Sequence, residues 1–154
     1  EYYNNDHVTF DVRGHLTLQD SVIELSEEDG IYIHPETDTT PDILIERSTI
    51  QNNGNDGIYV DGQDAQPGSL IIREDTIADH TAENSWGIFL YQIDSFDVLS
   101  NTLENNGYVW DVTNSGGIRV SGGSIGVISG NLVTRSDYAA VGIRVADAVP
   151  WLEE

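Results

Sequence analysis

Gly57-Ile58-Tyr59-Val60 is one of five copies of a single pattern: glycine, isoleucine, a variable residue and an aliphatic residue. The others are Gly30-Ile31-Tyr32-Ile33, Gly87-Ile88-Phe89-Leu90, Gly117-Ile118-Arg119-Val120 and Gly142-Ile143-Arg144-Val145. Their glycines stand 27, 30, 30 and 25 residues apart, a period that marks stacked supersecondary units. A second pattern keeps step with the first. Leu16-Thr17-Leu18 leads to Ile23, Ile43-Leu44-Ile45 to Ile50, Leu70-Ile71-Ile72 to Ile77, Phe96-Asp97-Val98 to Leu103, and Gly126-Val127-Ile128 to Val133. Two residues before each endpoint sits a small polar residue: Ser21, Ser48, Asp75, Asn101 and Asn131. Such side chains tolerate a left-handed bend and bond neighbouring backbone, so these positions are predicted to form a corner between short strands.

Each unit therefore reads as strand, corner, very short strand, polar loop, strand. Apolar positions are rich in β-branched residues and no window holds a 3.6-residue apolar period, which argues against helices. A turn of about 27 residues with three strands is a coil of a parallel β-helix, each coil stacking ~4.8 Å above the last. The chain resembles the right-handed parallel β-helix (pectin-lyase-like) superfamily through the repeat v-x-I-x-x-N-x-I-x-x-N-x-x-x-G-I-x-h, where h is aliphatic. The resemblance runs from about His15 to Val145 and implies an all-β, single-stranded right-handed solenoid of about five coils. One domain, 1–154, is expected. Residues 1–14 are read as a partial coil or N-terminal cap, 15–145 as the repeats, and 146–154 as a C-terminal cap or a link to a missing region. Tyr2 and Tyr3 at one end, and Val149, Pro150, Trp151 and Leu152 at the other, are the residues available for capping.

Charge bounds the setting. The chain carries 27 acidic residues against six arginines and no lysine, for a net charge of −21. Self-repulsion of that size opposes compaction at low ionic strength and is relieved by salt. This composition resembles proteins of extreme halophiles, particularly halophilic archaea or their viruses, and it disfavours nucleic acid as a partner. There is no cysteine, hence no disulfide or thiolate chemistry, and no apolar run of the ~20 residues that a membrane span needs. An extracellular, cell-surface or virion-surface location is expected.

In a strand, alternate residues face opposite sides, so the variable residue of each Gly-Ile motif points outward, as does the residue after the motif. The outward pairs are Tyr32 with His34, Tyr59 with Asp61, Phe89 with Tyr91, Arg119 with Ser121, and Arg144 with Ala146. Aromatic faces stack on sugars and arginine forks grip carboxylates or sulfates, so this stripe suits an acidic polysaccharide. It equally suits an ordinary cross-strand ladder that needs no ligand. The loop from Glu104 to Gly116 exceeds the repeat length and carries Tyr108 and Trp110; loops of that kind often bind. Trp110 could instead fold back to cover the coil. Tyr59, Trp86, Phe89, Tyr91, Tyr108, Trp110, Arg119 and Arg144 are the candidate ligand-binding residues.

For catalysis, His34 and Asp61 form the one outward pair suited to acid-base work. Asp29 to Glu36 is distantly similar to the Asp-Pro-His element of alginate epimerases, with its order broken. Asp56, Asp61 and Asp64 are candidate oxygen ligands for Ca²⁺, the only cofactor suggested, although their spacing follows neither an EF-hand nor a glycine-rich calcium nonapeptide. The expected function is an exposed structural or glycan-binding module adapted to high salt, with a polysaccharide or cell-surface glycan as partner. Further domains or identical chains of an assembly are also expected partners. A polysaccharide lyase, hydrolase or epimerase on the same face, and a viral spike or fibre segment, are the alternatives.

Overall fold

A computed structural model describes residues 8–107, 114–134 and 141–153. The first coil is β1 (Val8–Val12), β2 (Leu16–Gln19) and β3 (Val22–Glu24). The second is β4 (Ile31–Pro35), β5 (Asp42–Glu46) and β6 (Thr49–Gln51), and the third is β7 (Ile58–Asp61), β8 (Ser69–Arg73) and β9 (Thr76–Ala78). The fourth is β10 (Trp86–Tyr91), β11 (Phe96–Leu99) and β12 (Thr102–Glu104), and the fifth is β13 (Gly116–Ser121), β14 (Ile125–Ser129) and β15 (Leu132–Thr134). Two further strands follow, β16 (Val141–Ala146) and β17 (Val149–Glu153). Every strand pairs in parallel with its equivalents in the adjacent coils. The result is three sheets, ordered β1-β4-β7-β10-β13-β16, β2-β5-β8-β11-β14-β17 and β3-β6-β9-β12-β15. The described residues thus form a parallel β-helix of five three-strand coils and two more strands. Residues 146–154, expected to cap or leave the stack, contribute β17 to the second sheet, paired with β14. Tyr2 and Tyr3 lie outside the described residues.

Identical registers bring like residues into columns. Ile31, Ile58, Ile88 and Ile118 stack along the first sheet, and Ile33, Val60, Leu90 and Val120 beside them, all fully buried. The second sheet adds Ile43, Ile45, Leu70, Ile72, Phe96, Val98 and Ile128, and the third adds Ile50, Ile77 and Leu103. Each such side chain contributes roughly 1.5–3 kcal/mol by leaving water. At the outermost strand of the first sheet the same inward positions, Ile143 and Val145, stay 37% and 40% exposed.

The repeated glycine is required by close approach. A Cβ on Gly57 would lie 2.5 Å from the carbonyl oxygen of Gly87 and 2.7 Å from Ile77, and one on Gly87 would lie 2.9 Å from the carbonyl of Gly117 and from Leu103. Gly30 and Gly117 are equally crowded, each against the next coil's glycine and a third-sheet aliphatic. This contact explains why the two sequence patterns advance together.

The corners differ from expectation by one residue. The left-handed positions are Asp20, Arg47, Glu74, Ser100 and Gly130, each immediately before the small polar residue named from the sequence. The N–H groups of the first four still reach across to the next coil, as in Arg47 to Arg73 O (3.2 Å) and Ser100 to Ser129 O (2.9 Å). The bend therefore continues the ladder, and the polar residue after it is turned into the corner to bond the backbone of its neighbour. A second corner repeats the device with Leu25, Asn52, Asp79 and Asn105 in the left-handed region. Among the described residues no helix is long and apolar enough to cross a membrane.

Candidate ligand-binding face

The outward column of the first sheet is Tyr32, Tyr59, Phe89, Arg119 and Arg144, fixed by strand register. All five are half-buried. Tyr32 and Tyr59 have ring centroids 5.2 Å apart, and Tyr59 and Phe89 lie 4.8 Å apart with planes only 9° from parallel. The Arg119 guanidinium carbon sits 4.4 Å above the centre of the Phe89 ring. Both faces of Phe89 are therefore occupied, one by Tyr59 and one by Arg119. A sugar platform needs an open ring face. The ring faces of Tyr59 and Phe89 instead serve the solenoid, and the Tyr59 hydroxyl donates to Asp61 Oδ2 at 3.5 Å, which leaves the ring edges on the outer side. Tyr91 stands beside Phe89, tilted, at 6.3 Å.

Two arginines end the stripe. Arg119 and Arg144 are register partners, so two like charges sit side by side on adjacent strands, which is ordinarily unfavourable. Burial and the charge of Arg144 both lower the Arg119 pKa. Arg119 Nε is buried without a hydrogen-bond partner. Arg144 donates to Asn114 Oδ1 at 2.6 Å. Trp86 is fully buried beside them, 6.0 Å from the Arg119 guanidinium carbon to its ring centre, and its indole N–H also lacks a partner.

Trp86 also meets a buried acid that the sequence reading placed elsewhere. Asp56 is 4% exposed, and its Oδ1 accepts the Trp86 backbone N–H at 2.6 Å. Asp29 is its counterpart one coil earlier: Asp29 Oδ1 accepts the Asp56 N–H at 3.0 Å and Asn55 Nδ2 at 2.8 Å. Burial first, and then the charge of Asp29, hold the Asp56 carboxyl well above the usual carboxylate range. The signal for this pair was the Asp-Gly-Ile repeated at Asp29 and Asp56.

The remaining candidates do not assemble as expected. Asp56 is committed to the coil edge, whereas Asp61 accepts from Gln63 N–H at 2.9 Å and stands 3.5 Å from the Tyr59 hydroxyl. Asp64 instead faces His34 Nε2 at 3.5 Å. Asp56, Asp61 and Asp64 thus form no common cation site, and no group of three acidic or histidine side chains that could hold a metal occurs among the described residues. The acid facing His34 is Asp64, not Asp61, and the His34 Nδ1 is buried without a hydrogen-bond partner. Tyr108 and Trp110 lie outside the described residues.

Residues 5–149 match the family model described as a right handed beta helix region. No curated protein and no solved structure matches the chain. With nearly the whole repeat array covered by that model and the parallel three-sheet solenoid it implies in place, the chain belongs to the right-handed β-helix family.

Proposed function

We propose that this protein is an exposed, salt-adapted β-helix module that binds an acidic polysaccharide at the arginine end of its first sheet. The observation that carries the reading is the Arg119–Arg144 pair: two adjacent cations in a chain with 27 acids. Arg119 forms no ion pair with any described residue, although Arg13, Arg47 and Arg73 all do. A carboxylate or sulfate placed between the two guanidinium groups relieves their repulsion and accepts charge-assisted hydrogen bonds from both. The packed rings of Tyr32, Tyr59 and Phe89 supply a stiff edge leading to that point.

An acidic polymer meeting an acidic protein is repelled at long range. At molar salt the Debye length falls to ~3 Å, so that repulsion is screened while contact hydrogen bonds persist. The test is retention on immobilised glycans in molar KCl, comparing polyuronates and sulfated glycans with neutral glucans. Selective retention of acidic polymers, weakened about tenfold or more in Arg119→Gln, is the expected result. Equal retention of neutral glucans, or unchanged binding by Arg119→Gln, refutes it.

A further inference from the structure

The corner between the second and third sheets is lined by Ser21, Ser48, Asp75, Asn101 and Asn131, and each accepts or donates across coils. Ser21 N–H donates to Ser48 Oγ (3.2 Å), Ser48 N–H to Asp75 Oδ1 (2.7 Å), Asp75 N–H to Asn101 Oδ1 (2.9 Å), and Asn101 N–H to Asn131 Oδ1 (2.9 Å). Four of the five also donate to a main-chain carbonyl. Ser21 Oγ reaches Gln19 O (2.8 Å), Ser48 Oγ reaches Glu46 O (3.1 Å), Asn101 Nδ2 reaches Ile72 O (3.0 Å) and Asn131 Nδ2 reaches Val98 O (2.8 Å). Asp75 alone breaks the pattern. It is 1% exposed, and its Oδ2 is buried with no partner. A carboxylate has no hydrogen to give, but a protonated carboxyl has one and matches the shape of asparagine.

We propose that Asp75 works as a neutral carboxylic acid standing in for a ladder asparagine, and that its ionisation loosens the third coil, making this corner a proton-sensitive element of the solenoid. The charged groups around it favour the neutral form. Burial pushes the Asp75 carboxyl up to about 7, against the Ser48 N–H, and Glu46 and Glu74 add negative charge nearby. Arg47 and Arg73 are engaged with Glu46. On the far side of β9, His80 occupies the matching position of the second corner.

The sign follows from linkage. An unfolded Asp75 releases its proton near 3.8, the ordinary aspartate value, whereas the folded one keeps it to about 7. Between those values the unfolded chain binds fewer protons, so this residue's contribution to stability falls as pH rises. The experiment is chemical unfolding of the wild type and Asp75→Asn in molar KCl at pH 5 and pH 8, with a carboxyl-carbon NMR titration of the wild type. The folding constant of Asp75→Asn relative to wild type is expected to grow more than about tenfold from pH 5 to pH 8. The carboxyl signal missing from Asp75→Asn should titrate near neutrality. A stability difference that is the same at both pH values, or a carboxyl titrating near 4, overturns the proposal; the titration decides the matter if the variant fails to fold.

Discussion

His80 takes a place that its neighbouring coils give to Asn53 and Asn106, and it works as they do. Its Nδ1 accepts the Asn53 N–H at 3.3 Å, its own N–H reaches Asn106 Oδ1 at 3.3 Å, and its Nε2 lies 3.2 Å from Ile50 O. Accepting at Nδ1 and donating at Nε2 defines a neutral ring. Burial accordingly pushes its pKa down to about 4. The unfolded histidine takes up a proton near 6.5, so His80 contributes its full stability above that value and loses it as pH falls toward 4. His80→Asn should therefore flatten the acid limb of the stability curve between pH 6.5 and 4, measured by denaturant unfolding. An acid limb identical to wild type would show that another group controls it. Nothing in the sequence singles out His80, because its role depends on a coil neighbour 27 residues away.

Within the strands, the glycine column supplies its own control. A Cβ on Gly87 would lie 2.9 Å from Asn106 Nδ2, Gly117 O and Leu103, whereas one on Gly142, at the outermost strand, would meet nothing within 4 Å. Overpacking costs about 1–3 kcal/mol, which exceeds the ~0.5–1 kcal/mol that alanine gains over glycine in regular structure. Gly87→Ala should thus lower stability by roughly 1–2 kcal/mol, while Gly142→Ala should be neutral or mildly stabilising, read as unfolding midpoints of the two variants. Equal effects would remove steric crowding as the reason for the repeat. These columns were legible because the constraint recurs at every coil. The left-handed corner was not, since Asp20, Arg47, Glu74, Ser100 and Gly130 share no residue type. That position faces away from the corner contacts, and the sequence signal lies on the inward residue that follows it. Outward positions were legible too, but not their partners: strand alternation places Tyr59, Phe89 and Arg119 on one face without revealing that their faces cover one another.

The whole molecule carries a net charge of −21 on a stack whose coils touch only their neighbours. Stability in such a solenoid is close to a sum of coil and interface contributions, so a uniform charge penalty acts on every coil. The Debye length shrinks from ~10 Å at 0.1 M salt to ~3 Å at 1 M, which removes most repulsion between surface carboxylates. The thermal midpoint should therefore rise by several degrees as KCl increases from tenths molar to molar, and a midpoint indifferent to KCl would contradict salt adaptation. The same screening would let the proposed acidic polymer approach Arg119 and Arg144. The most direct measurement is a crystal structure grown in molar KCl with a uronate oligomer. A carboxylate seated between the Arg119 and Arg144 guanidinium groups, with the sugar lying along the edges of Phe89 and Tyr59, is the expected result; a sugar bound elsewhere, with no anion at that pair, would contradict the proposed function.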